Sequence, residues 1–286
     1  MRSSFKLGEI LGIPFLINYT WFIIFVFVTV TLALFYFPPT YPDWPQALYW
    51  VIGVAASLLF FGSVLGHELA HSMVARSQDI PVKSITLFVF GGVSRITKEA
   101  TTPGKEAILA AAGPLSSVVF GGFFVLVYLA TRGVSEPIAA LSFYLAYINF
   151  LLAAFNMIPG FPMDGGRVFR SFLWWITKNY RRATHIASLT GQGIAYAFIA
   201  GGILSIFFIP GFLVTGIWFA LIGWFLENAA SGSYRQMMLK EALQGFKARD
   251  VMTQDCALVS PSLSVRALVN EYILPTSRRC FVVSDA

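Results

Sequence analysis

Long apolar runs, separated by short polar or proline-rich breaks, dominate this chain. A membrane-crossing helix needs about 20 apolar residues, with about 17–25 as the working range. Six segments qualify: residues 19–37, 47–75, 106–131, 137–159, 183–209 and 212–230. Pro38-Pro39-Thr40-Tyr41-Pro42-Asp43-Trp44-Pro45 divides the first two. That stretch is predicted to be non-helical, because proline lacks a backbone donor and clashes with the preceding turn. Ile209-Pro210-Gly211 marks a tight turn between the last two. Residues 80–97 follow another pattern, a β-branched and aromatic run too short to span, broken by Gly91-Gly92 where a hairpin would turn. This predicts a strand pair dipping into the membrane, resting on helices or lining a wet cavity, since open strand edges are not tolerated facing lipid. The first 18 residues lack a short apolar core followed by a small-residue cleavage site, so the first run reads as a retained helix.

Composition agrees. Hydrophobic residues make up 57% of the 286 and charged residues 12%, with mean hydropathy +0.70. Soluble domains hold about 45–50% and about 25%. A soluble enzyme, a disordered chain and a disulfide-stapled secreted domain are excluded. The net charge is +6, and the basic residues sit in short segments between the apolar runs rather than in one dense stripe. They read as topology signals and not as a nucleic-acid footprint. With Arg2 and Lys6 placed in the cytoplasm, nineteen of the twenty Lys and Arg residues fall on that side, and Arg132 alone lies opposite. A multi-pass cytoplasmic-membrane protein with cytoplasmic N-terminus and tail is predicted.

The expected fold is an α-helical polytopic membrane domain over residues 1–231 with the reentrant hairpin at 80–97. A linker at 232–246 and a small α/β tail at 247–286 follow. In the tail, Ser262 or Ser264 is placed to cap a short helix, and Cys280-Phe281-Val282-Val283 reads as a strand. Cys256 and Cys280 have no metal-knuckle spacing and are expected to be reduced cytosolic thiols.

The chemistry concentrates in Gly66-His67-Glu68-Leu69-Ala70-His71, inside the second run. Residues four apart share a helix face. Two imidazoles at that spacing can hold one zinc ion, and the adjacent glutamate can reach a water on it. Ionisable groups inside an apolar span are costly and mark function. Three protein ligands are usual for catalytic zinc. The candidate third is Asp164, in Asn156-Met157-Ile158-Pro159-Gly160-Phe161-Pro162-Met163-Asp164-Gly165-Gly166-Arg167. The prolines and glycines there are expected to unwind the end of the fourth run. His185, beside Arg181-Arg182, reads as interfacial. Asn156 is a candidate for holding a substrate carbonyl or oxyanion, and Asn149 reads as a helix-to-helix contact.

His-Glu-Leu-Ala-His in a second span, with Asn-x-x-Pro-x-x-x-x-Asp-Gly-Gly in a fourth, resembles the site-2 protease family of intramembrane zinc metalloproteases. The resemblance covers about residues 5–231. It implies that His67, His71 and Asp164 bind one Zn2+ and that Glu68 is the catalytic acid and base. Substrates would be transmembrane segments of other proteins, cut near the cytosolic side. Ala112-Gly113-Pro114-Leu115-Ser116-Ser117 matches the family's third-span motif, although many members carry asparagine where this chain has Ser117. Beside such a site, an embedded strand edge is expected to add an unwound substrate as a further strand, which gives Phe90, Gly91 and Gly92 a substrate-binding role. Ala248-Arg249-Asp250-Val251-Met252-Thr253, Val259-Ser260-Pro261 and Phe281-Val282-Val283 resemble the first, incomplete part of a CBS domain. A complete pair of such modules would imply adenine-nucleotide binding and homodimerisation through that region.

Two other classes compete. An ion or solute transporter or channel with a CBS-type tail would use the same intramembrane charges, but no inverted repeat is evident and such a protein has no need of glutamate between paired histidines. A different metallopeptidase would take Glu99 or Glu106 as its third ligand. A binding module built on a dead site is opposed by the intact His67-Glu68-x-x-His71.

Overall fold

The computed structural model describes residues 4–89, 91–243, 247, 250, 256–276 and 280–284. The chain divides into two compact units, Met1–Arg235 and Gln236–Ala286.

The first unit opens with a hairpin that the hydrophobic pattern did not announce. Strand β1 (Ser4–Ile10) and strand β2 (Ile13–Asn18) pair antiparallel across Leu11 and Gly12, both at positive φ, as the tight primed turns of hairpins require. Ile13, Phe15 and Ile17 alternate inward along β2. Strand β2 then pairs parallel with β3 (Val82–Phe88), which pairs antiparallel with β4 (Gly91–Ile96). The sheet order is β1-β2-β3-β4. The expected strand pair therefore exists, but as half of a four-stranded sheet. Gly91 and Gly92, expected to form its turn, instead belong to β4, opposite Phe88 and Leu87.

Six helices are long and apolar enough to cross a membrane. They are α1 (Thr20–Thr40), α2 (Gln46–Ser77), α3 (Pro103–Thr131), α4 (Glu136–Asn156), α6 (Tyr180–Phe208) and α7 (Leu213–Ala242). The first run continues as helix to Thr40, through Pro38 and Pro39, where a break was expected. A π-helical turn at Leu32–Tyr36 lets the Phe37 N–H reach the Leu32 carbonyl. This wider turn relieves the ring–carbonyl clash that proline brings to a regular helix. Polar caps start two helices: Thr102 Oγ1 accepts from Lys105 N–H before α3, and Asn179 Oδ1 from Arg182 N–H before α6.

Between α4 and α6 lies a short helix, α5 (Asp164–Thr177), outside the six spans. The chain is non-helical from 157 to 163, as the prolines predict, but Gly165 and Gly166 are helical rather than unwinding. Their role is close approach. A Cβ on Gly165 would stand 2.3 Å from the Met157 carbonyl oxygen, and one on Gly166 2.3 Å from the Gly160 carbonyl carbon.

The inner face of the sheet (Ile13, Phe15, Ile17, Ile85 and Leu87) packs against Trp21 of α1 and Phe61 and Val64 of α2. A second cluster of Phe37, Trp44, Tyr49, Ile52, Tyr144 and Leu145 joins the ends of α1, α2 and α4. Small polar contacts join helices between these clusters: Thr29 Oγ1 donates to Ser57 Oγ at 2.9 Å, and Asn149 Nδ2 to Ser63 Oγ at 3.2 Å. Many large apolar side chains on the outer helix faces are exposed, among them Val119, Leu126, Phe207 and Trp224. An apolar outer surface of that extent requires lipid rather than water.

In the second unit, β5 (Ala257–Val259) and β6 (Phe281–Val283) pair parallel across a helical stretch, α8 (265–276). Ser264 Oγ caps that stretch by accepting from Ala267 N–H. Cys256 and Cys280 form a disulfide here, contrary to the expected free thiols. The register Ala257↔Phe281 explains it: the residues preceding the two strands are brought side by side, with Cα atoms 5.1 Å apart.

Candidate metal centre

Helix α2 carries His67 and His71 one turn apart on a buried face. Helix α5 begins at Asp164, so its side chain meets them from the opposite side. Asp164 Oδ2 lies 3.1 Å from the Nε2 atom of each imidazole, and the two Nε2 atoms are 3.3 Å apart. This is the one group of three His, Cys, Asp or Glu donors with metal-binding spacing found among the described residues. Atoms coordinating zinc tetrahedrally at about 2.0–2.1 Å stand about 3.3 Å from one another. The donor spacing fits that ion.

The hydrogen bonds behind the rings give the same answer. His71 Nδ1 lies 2.7 Å from the Leu109 carbonyl oxygen, which can only accept. The Nδ1 proton is therefore fixed, and Nε2 of the neutral ring presents a lone pair to the Asp164 carboxylate. Two acceptors 3.1 Å apart are satisfied by a cation between them. His67 Nδ1 meets Ser117 Oγ at 2.9 Å, which serves the same purpose for the other ring. Burial opposes charge on the Asp164 carboxyl, yet its contacts with the His67 and His71 rings hold it well below the usual carboxylate range.

Helix α3 supplies the floor. A Cβ on Gly113 would stand 2.2 Å from His71 Nε2 and 2.4 Å from His67 Nε2, so only glycine leaves space for the rings. Leu109, Gly113 and Ser117 recur at helical spacing on the buried face of α3. The third-span motif had marked Gly113 and Ser117 by resemblance alone, and the Leu109 carbonyl carries no sequence signal.

Glu68 adjoins this centre and shares with His67 and Asp164 the wall of a cavity of about 410 Å³. Ser94 of β4 donates to Glu68 Oε2 at 2.7 Å, and Ser72 donates to the Glu68 backbone carbonyl at 2.8 Å. Asn156, Gly91 and Gly92 also line the cavity, whereas Phe90 lies outside the described residues. The remaining wall is largely apolar, formed by Ile24 and Val28 of α1 and Phe60, Phe61 and Val64 of α2.

Other candidates lie elsewhere. The His185 ring packs on Tyr234, with centroids 4.9 Å apart. Asn149 is fully buried in the contact between α2 and α4. Glu99 accepts from Tyr180 Oη at 3.1 Å, and Glu106 is bound to Arg170. Neither joins the donor cluster.

Known proteins resemble this chain. The peptidase family M50 profile matches residues 55–139 and 131–200, which include the donor cluster, Glu68 and every residue of the cavity wall except Ile24 and Val28 of α1. Two curated relatives bear the name "Putative zinc metalloprotease". They are sll0528 of Synechocystis sp., 39% identical over all of this chain and 74% of its own length, and Rip3 of Mycobacterium tuberculosis, 33% identical over all of this chain and 72% of its own. Among solved structures, the site-2 protease from Methanocaldococcus jannaschii aligns with a TM-score of 0.52 and 28% identity, covering 81% of this chain and 95% of that one. A multi-pass helical membrane protein with a buried two-histidine, one-aspartate cluster and these relatives belongs to peptidase family M50, and is a zinc-dependent protease of the site-2 type.

Proposed function

We propose that His67, His71 and Asp164 hold the zinc ion and that Glu68 is the general base and acid of an intramembrane endopeptidase acting on transmembrane segments of other proteins. The observation that carries this reading is the convergence of three donor atoms, 3.1–3.3 Å apart, at the wall of a cavity that also contains Glu68. When bound, zinc supplies Lewis-acid polarisation of a peptide carbonyl and lowers the pKa of water to about 7. Glu68 accepts the proton of the attacking water and passes it to the leaving amine. Ser94 orients that carboxylate. Asn156 donates one amide hydrogen to the Leu152 carbonyl. Its second serves the substrate carbonyl or the developing oxyanion.

The substrate must be extended at the scissile bond, because a helical peptide bond is shielded and already hydrogen-bonded. Strand β4, with Gly91 and Gly92 on the cavity wall, supports docking of an unwound segment as an added strand, with Phe90, the residue before Gly91 in sequence, proposed to take part. In this reading the β3–β4 pair sits at membrane depth. The charge distribution supports a cytoplasmic-membrane protein with N-terminus and tail in the cytoplasm. The parallel β5–α8–β6 tail is read as the first part of a CBS-type regulatory module, and nucleotide binding and dimerisation belong to the complete pair.

Metal content tests the centre, measured on detergent-purified protein prepared without chelator. Wild type and Glu68→Gln are expected to carry about one zinc per chain, and His67→Ala and Asp164→Ala to lose it. Wild type without stoichiometric metal would overturn the assignment.

A further inference from the structure

A deeply buried charged pair outside the donor cluster joins Glu106, on the first turn of α3, to Arg170 on α5. Glu106 is only 2% exposed. Burying a carboxylate is costly unless it is paired. Arg170 presents Nε, at 2.8 Å, and Nη2 to the same oxygen, Glu106 Oε1. The guanidinium is sandwiched between two rings, with its carbon 4.9 Å from the centroid of Phe161 and 4.8 Å from that of Tyr180. The neighbouring Ser171 Oγ donates to the Pro103 carbonyl at 2.5 Å. Two successive residues of α5 are thus tied to the beginning of α3, and Phe161 fixes the chain just before Asp164.

We propose that Glu106 and Arg170 are positioning residues for Asp164, the third donor; the inference rests on the metal-ligand reading above. Two observations carry it. The polar contacts of the Asp164 carboxylate among the described residues are to the two imidazoles, so no other side chain fixes it. Its place is inherited from the docking of α5. Secondly, Glu106, Leu109, Gly113 and Ser117 form one buried stripe along α3, at helical spacing. Leu109 holds His71, Gly113 admits both rings, Ser117 holds His67, and Glu106 holds the helix that delivers Asp164. One helix face thereby sets the position of all three donors, and the ion pair is the part that reaches the donor from the other side.

The test uses the full-length protein in detergent, with zinc alone as the probe. The readouts are the rate of zinc loss to a chromophoric chelator and the melting temperature of the zinc-free protein. The variants are Glu106→Gln, the apolar double variant Glu106→Leu/Arg170→Met, and Asp164→Ala. Replacing both partners of a buried pair by apolar groups of similar volume is often neutral for folding. The double variant should therefore melt near wild type while releasing zinc about tenfold faster or more, the size of effect typical of groups that orient metal ligands. Glu106→Gln should release zinc faster as well. Wild-type zinc retention in the stable double variant would overturn the proposal and leave the pair a purely structural contact. Retention of zinc by Asp164→Ala would overturn the ligand reading itself, and the two failures are told apart within one experiment.

Discussion

Ser117 Oγ on α3 and His67 Nδ1 on α2 stand 2.9 Å apart, both fully enclosed. In the proposed site Nε2 faces the metal, so the Nδ1 proton needs an acceptor, and the hydroxyl is that acceptor. Ser117→Ala leaves a small void and a buried unpaired N–H. Zinc affinity is expected to fall about 10–100-fold, measured by competition with a chelator, with the helical content unchanged.

Gly113→Ala should be more severe. Its methyl would occupy the space of both Nε2 atoms. The expected outcome is a folded protein without stoichiometric zinc, detected by elemental analysis of the purified variant. Normal zinc occupancy in Gly113→Ala would contradict the packing of α3 against the histidines.

A substitution at Gly92 separates the proposed roles of Glu68 and of the donor cluster. A Cβ there would stand 2.4 Å from Glu68 Cγ, and the donor cluster has no such contact with residue 92. Gly92→Ala is expected to keep about one zinc yet lose cleavage of a reconstituted single-span substrate to near the level of Glu68→Gln. Loss of zinc instead would mean that β4 supports the metal ligands rather than Glu68.

Acid should empty the centre. Zinc requires neutral imidazoles, whose ordinary pKa is about 6.5. Protonation competes with the metal, so affinity falls as pH drops, and two histidines make the fall steeper than one would. The Asp164 carboxyl, held low by its neighbours, stays ionised throughout this range. Zinc retention measured after equilibration between about pH 7 and pH 5 should decline without unfolding.

The two asparagines of α4 should separate cleanly. Asn149 bonds across to Ser63 within the protein interior, while Asn156 lines the cavity. Such interhelical hydrogen bonds average about 0.6 kcal/mol in membrane proteins. Asn149→Ala is expected to cost stability of about that order in a denaturation assay, with zinc and cleavage retained. Asn156→Ala should lower the cleavage rate and leave stability and zinc nearly unchanged.

Much of this was legible in the chain because membrane spans and the His67-Glu68-x-x-His71 spacing are local signals. A run of apolar residues and a helical i,i+4 pair need no knowledge of distant partners. Helix α5 was not legible. Gly165 and Gly166 look like helix breakers in sequence, and only the approach of Met157 and Gly160 explains why small residues stand inside a helix. The first hairpin carried the inward alternation of Ile13, Phe15 and Ile17, but its parallel partner β3 lies across two intervening helices. The Cys256–Cys280 pairing depends on the register of two strands, which spacing alone does not encode. Arg170 looked like one more cytosolic charge. Its meaning comes from Glu106, 64 residues away.

The pairing of Phe15 with Ile85, Leu16 with Thr86 and Ile17 with Leu87 has a consequence for biogenesis. Strands that share hydrogen bonds are reached from the same side of the bilayer, so the chain between β2 and β3 must cross an even number of times, and α1 and α2 are the two helices there long and apolar enough to do so. A chain whose first helix inserted backwards would strand β2 on the wrong side and leave the hairpin β3–β4 without its neighbour. The sheet is in this sense a parity check on insertion. Until the first two helices have entered in opposite directions, β4 cannot settle against Glu68, and a misthreaded molecule lacks the Ser94 hydrogen bond to that carboxylate.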